Sequence, residues 1–383
     1  MTFTAKSPSL HMARALALAE SAIHLTSPNP RVGCVLVAAD GRILGEGHTQ
    51  KAGEAHAEVM AIRDATAKGN LIAGQVPKGT IAYVTLEPCS HQGRTGACSA
   101  ALIQIGLAKV VASLEDPNPL VVGQGFAALR VAGIEVEIGD GAKEAFEINI
   151  GFMKRMAAPS GKGLPWVRMK AAASLDGITA LPNGQSQWIT GEAARIDGHK
   201  WRARSCAILT GIGTVLADDP SLNVRHVSTP REPTLVLVDS QLEVPLHAKL
   251  WAISRPVWIY TAIKPTSKAK QAKVKALQAL GAEVISLPNA AGKVDLAAML
   301  RDLGQRQINE LHVEAGFKLN GSMWHEGLVD ELLLYQSAQL IGTGLGIANL
   351  GAFESLAQTP KLRYHSIDRI SDDLRILVRL NNK

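Results

Sequence analysis

The 383-residue sequence predicts an α/β chain of two domains, and three observations carry that expectation. Domains run at about 100–200 residues, so the length fits two cores. The side chains are 46% hydrophobic and 19% charged, with 35 glycines and 18 prolines, a composition that excludes a disordered or fibrous chain. Apolar runs of strand length alternate with helical ones through both halves, the pattern of helices layered on a sheet.

Taken in order, the first half predicts a helix over Met12–Ile23 and a hairpin of strands Gly33–Ala38 and Ile43–Gly47 around the turn Ala39–Arg42. Arg14 and Glu20 interrupt the first apolar stretch and no small-residue cleavage site follows, so it reads as an amphipathic helix and not an export signal. A helix His56–Lys68, strand Thr80–Leu86, helix Cys98–Ile105, strand Lys109–Ser113, helix Gln124–Val131 and strand Ile134–Ile138 complete a three-layer pattern. Residues 151–165 mix charge, Gly and Pro without a period, which predicts domains of 1–151 and 152–383. The second half predicts strands Val167–Ala173, Ala207–Thr210, Thr234–Val238, Val257–Tyr260, Glu283–Leu287, Glu310–Glu314, Leu332–Ser337 and Leu374–Leu380, with helices Glu192–Arg204, Ala269–Leu280 and Asp295–Leu303. The uncharged stretch Leu332–Phe353 holds four glycines with Gln336, Gln339 and Asn349, so it reads as strand–loop–strand and not a membrane span.

A net charge of +6 suits an anionic ligand such as a phosphate, and no basic block or wealth of aromatic rings points to nucleic acid. The clusters Lys154–Arg155 and Lys264–Lys275 read as a junction and a solvated helix face. In a cytoplasmic chain the four cysteines stay reduced; Cys34, in an apolar strand, reads as core and so does Cys206, whereas Cys89 and Cys98 become candidate metal ligands.

His56-Ala57-Glu58 falls at a helix start, and Pro88-Cys89 with Cys98 follows a strand, so one imidazole and two thiolates converge from separate elements. Zinc held by three protein ligands keeps a fourth position for water, whose pKa falls to about 7. Glu58 can accept that water's proton and return it to a leaving amine. A structural zinc would want a fourth protein ligand, for which His91 is the nearby candidate, and would have no need of Glu58. H-x-E followed by P-C and a further Cys is the arrangement of nucleobase deaminases. Here eight residues, Ser90–Ala97, separate the cysteines.

Together with Asn29-Pro30-Arg31-Val32-Gly33, that longer loop resembles the riboflavin-pathway pyrimidine deaminase rather than cytidine or transfer-RNA deaminases. The resemblance implies a cytidine-deaminase-like α/β/α sandwich, Zn2+ on His56, Cys89 and Cys98, and Glu58 as the catalytic proton shuttle. It also implies that Asn29, His48, His91 and Arg94 contact the pyrimidine or its ribose phosphate. The competing reading, a nucleic-acid-editing zinc deaminase with an accessory domain, shares the H-x-E and P-C residues but not the cysteine spacing.

In the second half, Lys170–Gly177, Ser186–Thr190, Gly211–Pro220 and Val313–Ser322 each sit at a strand end, and the last has a strand, glycine turn and helix start suited to a phosphate. These runs resemble the riboflavin-pathway reductase, which implies a dihydrofolate-reductase-like domain with NADPH as hydride donor. By that resemblance Ala172, Trp188, Thr214, Asp218, Ser240 and the turn Gly316, Phe317, Lys318, Leu319, Asn320, Gly321 and Ser322 contact the cofactor. Ser186, Arg202, Leu222, Arg225 and Glu314 contact the substrate, where a guanidinium can pair bidentately with a phosphate. Asp239 beside Ser240 offers an acceptor for a ribose hydroxyl, which would favour NADH. The two resemblances span about residues 10 to 380 and imply a bifunctional riboflavin biosynthesis enzyme acting on a small phosphoribosyl pyrimidine, with no nucleic-acid or membrane partner and with homo-oligomerisation open.

Overall fold

The computed structural model describes residues 7–90, 96–119, 121–264 and 266–380. The chain forms two compact units, Met1–Gly163 and Leu164–Lys383.

In the first unit α1 (Leu10–Ser21) leads to the hairpin β1 (Gly33–Val37) and β2 (Ile43–His48), then α2 (Ala57–Ala67), β3 (Ile81–Val84), α3 (Cys98–Gln104), β4 (Lys109–Ala112), α4 (Gln124–Val131) and β5 (Glu135–Ile138). The sheet order is β2-β1-β3-β4-β5, antiparallel through β1 and parallel from β3 onward. Every residue of β1 is buried because helices cover both faces. Alpha-helical alanines and strand glycines let α2 sit close on β2: a Cβ on Gly45 would come within 2.3 Å of the Ala61 carbonyl oxygen, so only glycine fits there. That approach fixes the start of α2, where His56 is the N-cap residue.

Two short helices, α5 (Ala142–Ile148) and α6 (Ile150–Met156), follow where the sequence shows no period, because seven residues make too few turns for one to be read. Phe152, Met153 and Met156 join the core of the first unit, so α6 crosses residue 151 and the compact unit extends to Gly163. Asn149, at the joint of the two helices, accepts the Arg31 backbone N–H at 2.8 Å and donates to the Arg31 carbonyl at 2.8 Å. The segment leading into β1 is thereby pinned.

The second unit contains β6 (Trp166–Ala173), α7 (Glu192–Arg204), β7 (Ala207–Gly211), α8 (Ile212–Asp218), β8 (Thr234–Val238), β9 (Val257–Thr261), α9 (Lys268–Ala279), β10 (Ala282–Ser286), α10 (Leu296–Gln305), β11 (Glu310–Val313), α11 (Phe317–His325), β12 (Glu331–Gln336), β13 (Leu362–Ile370) and β14 (Asp373–Leu380). Its sheet runs β10-β9-β8-β7-β11-β6-β12-β14-β13, parallel up to β12 and antiparallel beyond. Along β12, Leu332 packs with Met299 and Met323 while Leu333 and Tyr335 pack with Ala194, so apolar clusters lie on both faces. The sequence does not announce β13, an edge strand whose residues are mostly exposed or half-buried. Of the expected strand–loop–strand at Leu332–Phe353, the second strand reduces to a single bridge between Leu345 and Ala180. Among the described residues no helix is long and apolar enough to cross a membrane.

Candidate active sites

In the first unit, β1 begins at Gly33 opposite His48 at the end of β2, and β3 ends beside it at Val84, five residues before Cys89. His48, Cys89 and the Asn29–Val32 lead-in therefore gather at one edge of the sheet. His56 Nδ1 lies 3.7 Å from Cys89 Sγ and 3.4 Å from Cys98 Sγ. All three ligand atoms lie within 4.8 Å of one another, and no fourth His, Cys, Asp or Glu joins the cluster among the described residues. One nitrogen and two sulfurs converging on a common point is the donor set of a zinc with an open position.

The Cys98 amide at the start of α3 donates to Cys89 Sγ at 3.5 Å. Hydrogen bonding from Cys98 lowers the Cys89 thiol to about 4, and the shared hydrogen bond drives Cys98 upward. Glu58 is 3% exposed in the first turn of α2. Burial pushes its carboxyl up to about 7, and the Cys89 thiolate adds to the shift. A carboxyl poised near neutrality beside a metal donor set can both take and return a proton. His48 is half-buried, with Gln50 Nε2 3.2 Å from its Nδ1, and Asn29 is half-buried in the turn closed by Thr26. His91 and Arg94 lie outside the described residues.

Two groups at this edge were missed by sequence reasoning. Glu87 accepts backbone N–H bonds from Asp116 (3.1 Å), Gly123 (3.0 Å) and Gly125 (2.9 Å), tying Asp116 and the start of α4 to the Pro88-Cys89 turn. Asp116 is buried, which pushes its carboxyl up to about 7 with Glu87 and Cys89 contributing. The signal available was Glu87-Pro88-Cys89 itself, whose glutamate has a loop to hold.

In the second unit, Ala172, Thr214, Ser240 and Gly316 sit at or just past the carboxyl ends of β6, β7, β8 and β11, four neighbours in the sheet, the edge where α/β folds bind ligands. A Cβ on Gly316 would lie 3.8 Å from Thr214 Oγ1, so the starts of α8 and α11 adjoin. The amides of Phe317, Lys318 and Leu319 precede the first intrahelical bond, Asn320 N–H to the Gly316 carbonyl at 3.1 Å, and so have no intrahelical acceptor. Asn320 and Gly321 are buried instead: Asn320 Nδ2 donates to the Ile347 carbonyl at 2.9 Å, and a Cβ on Gly321 would sit 2.3 Å from the Asn349 carbonyl oxygen. Ser322 is exposed one turn further along the helix.

Ser240 Oγ accepts the Val294 N–H at 3.2 Å, which leaves its hydroxyl hydrogen to donate. Asp239 is fully buried and its two oxygens accept the Glu243 and Val244 N–H groups at 2.9 Å each, so it does not face a ribose hydroxyl. Trp188 is 68% exposed with the Arg195 guanidinium 4.5 Å from its ring centre, Asp218 is exposed at the end of α8, and Ser186 is half-buried nearby in sequence.

On the α7 side, Arg202 grips Glu314 bidentately, through Nε and through Nη2 at 2.8 Å, and donates from Nη1 to the Asn223 carbonyl at 2.9 Å. His312 Nε2 lies 3.3 Å from the same carboxylate. Burial raises Glu314, but Arg202 and His312 outweigh it and hold the group well below the ordinary range. Of the two arginines, only Arg225 presents an uncommitted guanidinium: it is exposed and donates to Asn223 Oδ1 at 2.7 Å. Leu222 is buried in a left-handed conformation. Sequence reasoning passed over Lys170 as a site residue. It lies one residue beyond the Met169–Val313 pair, beside Glu314, and its side chain makes no hydrogen bond to another described residue; burial lowers its pKa.

A family model described as the cytidine and deoxycytidylate deaminase zinc-binding region matches residues 5–114, and one described as the RibD C-terminal domain matches residues 165–376. The riboflavin biosynthesis protein RibD of Escherichia coli K12 is 42% identical over 95% of this chain and 97% of its own length. The chain belongs to the RibD family. The RibD of Haemophilus influenzae is 41% identical over 95% of each chain. Among solved structures, RibD of Acinetobacter baumannii aligns with a TM-score of 0.85 at 38% identity, covering 97% of this chain and 98% of that one. A diaminohydroxyphosphoribosylaminopyrimidine deaminase/5-amino-6-(5-phosphoribosylamino)uracil reductase from Thermotoga maritima aligns at 0.82 and 29% identity with the same coverage. The RibD matches fit the expected order, a zinc-binding deaminase region before a reductase domain.

Proposed function

We propose that this chain carries out two successive steps of riboflavin biosynthesis, one in each compact unit, on a free nucleotide in the cytoplasm. The first unit hydrolyses the 2-amino group of 2,5-diamino-6-(5-phosphoribosylamino)pyrimidin-4-one. The second reduces the ribosyl group to ribityl, giving 5-amino-6-(5-phosphoribitylamino)uracil. The observation that carries the reading is the convergence of His56, Cys89 and Cys98 beside a buried Glu58 whose carboxyl sits at about 7.

Zinc held by those three residues supplies an activated water for attack on the ring carbon. Glu58 would take a proton from the attacking water and deliver it to the amine nitrogen, so that as the C–O bond forms the C–N bond breaks and ammonia leaves. Asn29, His48, His91 and Arg94 are assigned to the pyrimidine and its ribose phosphate.

In the second unit NADPH, held at the carboxyl ends of the parallel strands, would supply the hydride for carbon 1 of the sugar chain. Thr214, Gly316 and the amides of Phe317, Lys318 and Leu319 would hold its pyrophosphate, with Ala172, Ser240, Trp188 and Asp218 assigned to the rest of the cofactor. Glu314, kept ionised by Arg202, orients the sugar hydroxyls, and Lys170 Nζ holds the proton that meets the negative charge left when hydride arrives. Arg225, with Ser186 and Leu222, holds the substrate's phosphate end.

Incubating the protein with the diaminopyrimidine nucleotide, with and without NADPH, and identifying products by mass tests the whole reading. Without NADPH the deaminated ribosyl compound accumulates; with it the ribityl compound forms. Ammonia release that never occurs, or reduction without NADPH, rejects it.

A further inference from the structure

The segment Ser221–His226 has no regular secondary structure, yet side chains from distant parts of the second unit hold its backbone at successive residues. Arg255 donates from Nη2 to the Ser221 carbonyl and from Nη1 to the Leu222 carbonyl, both at 2.6 Å. Arg202 Nη1 donates to the Asn223 carbonyl at 2.9 Å. Glu232 accepts the Val224 N–H at 3.0 Å, and His199 Nδ1 accepts the Arg225 N–H at 3.0 Å. Two residues of the segment, Leu222 (φ 50°) and His226 (φ 63°), adopt left-handed conformations without being glycine. Such residues persist only where the surroundings over-determine the backbone, and they gather at ligand clamps.

At the tip, Arg225 is exposed, and its side chain donates to Asn223 Oδ1 with no ion pair to a carboxylate among the described residues. Arg202 nearby has its charge committed to Glu314. Burial and the neighbouring Arg202 both disfavour the charged form of Arg225, as expected of a cation awaiting an anion. His199 stays neutral, pushed down to about 3 by burial and by Arg202 and Arg225, which keeps Nδ1 free to accept.

We infer that Arg255 is a positioning residue: by holding the Ser221 and Leu222 carbonyls it sets the Ser221–His226 segment as a pre-formed arm, so that Arg225, assigned above to the substrate's phosphate, meets it already in place. The inference rests on the reductase reading. The arm gains affinity by arriving at the ligand already ordered.

The test uses the full chain at saturating NADPH, with two substrates: the deaminated nucleotide and its dephosphorylated nucleoside. In Arg255→Met, KM for the nucleotide rises about tenfold or more with kcat nearly unchanged, KM for the nucleoside and for NADPH stays put, and Arg255→Lys recovers part of the loss. A KM that rises equally for both substrates, a fall in kcat alone, or a rise confined to NADPH overturns the inference, the last because the arm would then hold the cofactor's phosphate. Should Arg255→Met not fold, His199→Ala against His199→Asn serves instead. Asparagine keeps an acceptor for the Arg225 N–H, so only the alanine variant shows the selective rise, and equal effects in both reject the arm. A wild-type chain that reduces neither substrate with NADPH rejects the reductase reading itself.

Discussion

Glu58 in the first unit and Glu314 in the second are both carboxylates largely shut away from water, and their proton affinities shift in opposite directions. Glu58 has no arginine or lysine on it among the described ion pairs, and burial lifts its carboxyl to about 7. Burial pushes Glu314 the same way, but the bidentate Arg202 and His312 hold it ionised. Burial sets the stakes for a carboxyl and the counter-ion decides its state. One half needs a group that changes protonation during turnover, the other a fixed anion, and each unit supplies the matching surroundings.

The widest difference to exploit is the independence of the halves. Expression of 1–163 and 164–383 as separate fragments should give two cooperative unfolding transitions and one activity each. A cut after residue 151 severs α6, removes Phe152, Met153 and Met156 from the first core, and should leave that fragment without a cooperative transition by calorimetry. A stable 1–151 fragment would break the division at Gly163.

Glu58→Gln should cost about 10²–10⁴-fold in ammonia release, the scale of a lost general acid–base, while one zinc per chain remains and reduction of the deaminated nucleotide is untouched. Zinc analysis with both assays decides it, since lost metal or full deaminase activity contradicts the assigned role.

Arg202→Ala sharpens the other side. Stranding Glu314 should cost the second unit about 3–5 kcal/mol and abolish reduction while sparing deamination, as read by denaturant unfolding and the two assays. The same pair sets a pH dependence with a definite sign. Glu314 binds its proton less readily folded than unfolded, so its contribution is complete above the ordinary value of 4.5 and is lost as pH falls through the lower folded value. The loss of stability in acid should be shallower in Arg202→Ala; an unchanged slope would show that Arg202 does not hold Glu314 ionised.

The smallest effect is expected at the cofactor's adenosine end. Ser240→Asp should lower kcat/KM with NADPH about tenfold with little change for NADH, because a carboxylate there repels a 2′-phosphate. A wild-type preference for NADH, or equal loss with both cofactors, would remove Ser240 from that role.

The zinc donors and Glu58 were legible because their chemistry is local: His56 and Glu58 share one helical turn, and Pro88-Cys89 marks a strand end. What stayed hidden is fixed by partners far along the chain. Asn149 acts on Arg31 at a separation of 118 residues, and nothing in the Ala142–Met156 pattern says so. Lys170 reads as one more strand residue until β11 sets Glu314 beside it. The Gly316–Ser322 run reads as a glycine turn with a helix start, yet the helix takes in everything after Gly316 and Gly321 packs under Asn349, because a glycine serves close packing as readily as a turn. Asp239 had an attractive position, and its oxygens are taken by the next turn of its own chain.

The sheet order of the second unit also sets a timetable for synthesis. The first unit can pair all five strands once Ile138 has emerged, because its partners are close in sequence. In the second unit β6 emerges first and lies between β11 and β12, the late-made strands. Its buried Arg168 is neutralised by Glu310 and Glu331, the latter 163 residues further on. Until those carboxylates arrive, inserting β6 would strand a bare guanidinium in an apolar core, at a cost too high for premature pairing. A nascent chain therefore carries a finished first domain while β6 of the second waits in water, and the ion pairs that later disappear from view act as the signal that the right neighbours have come.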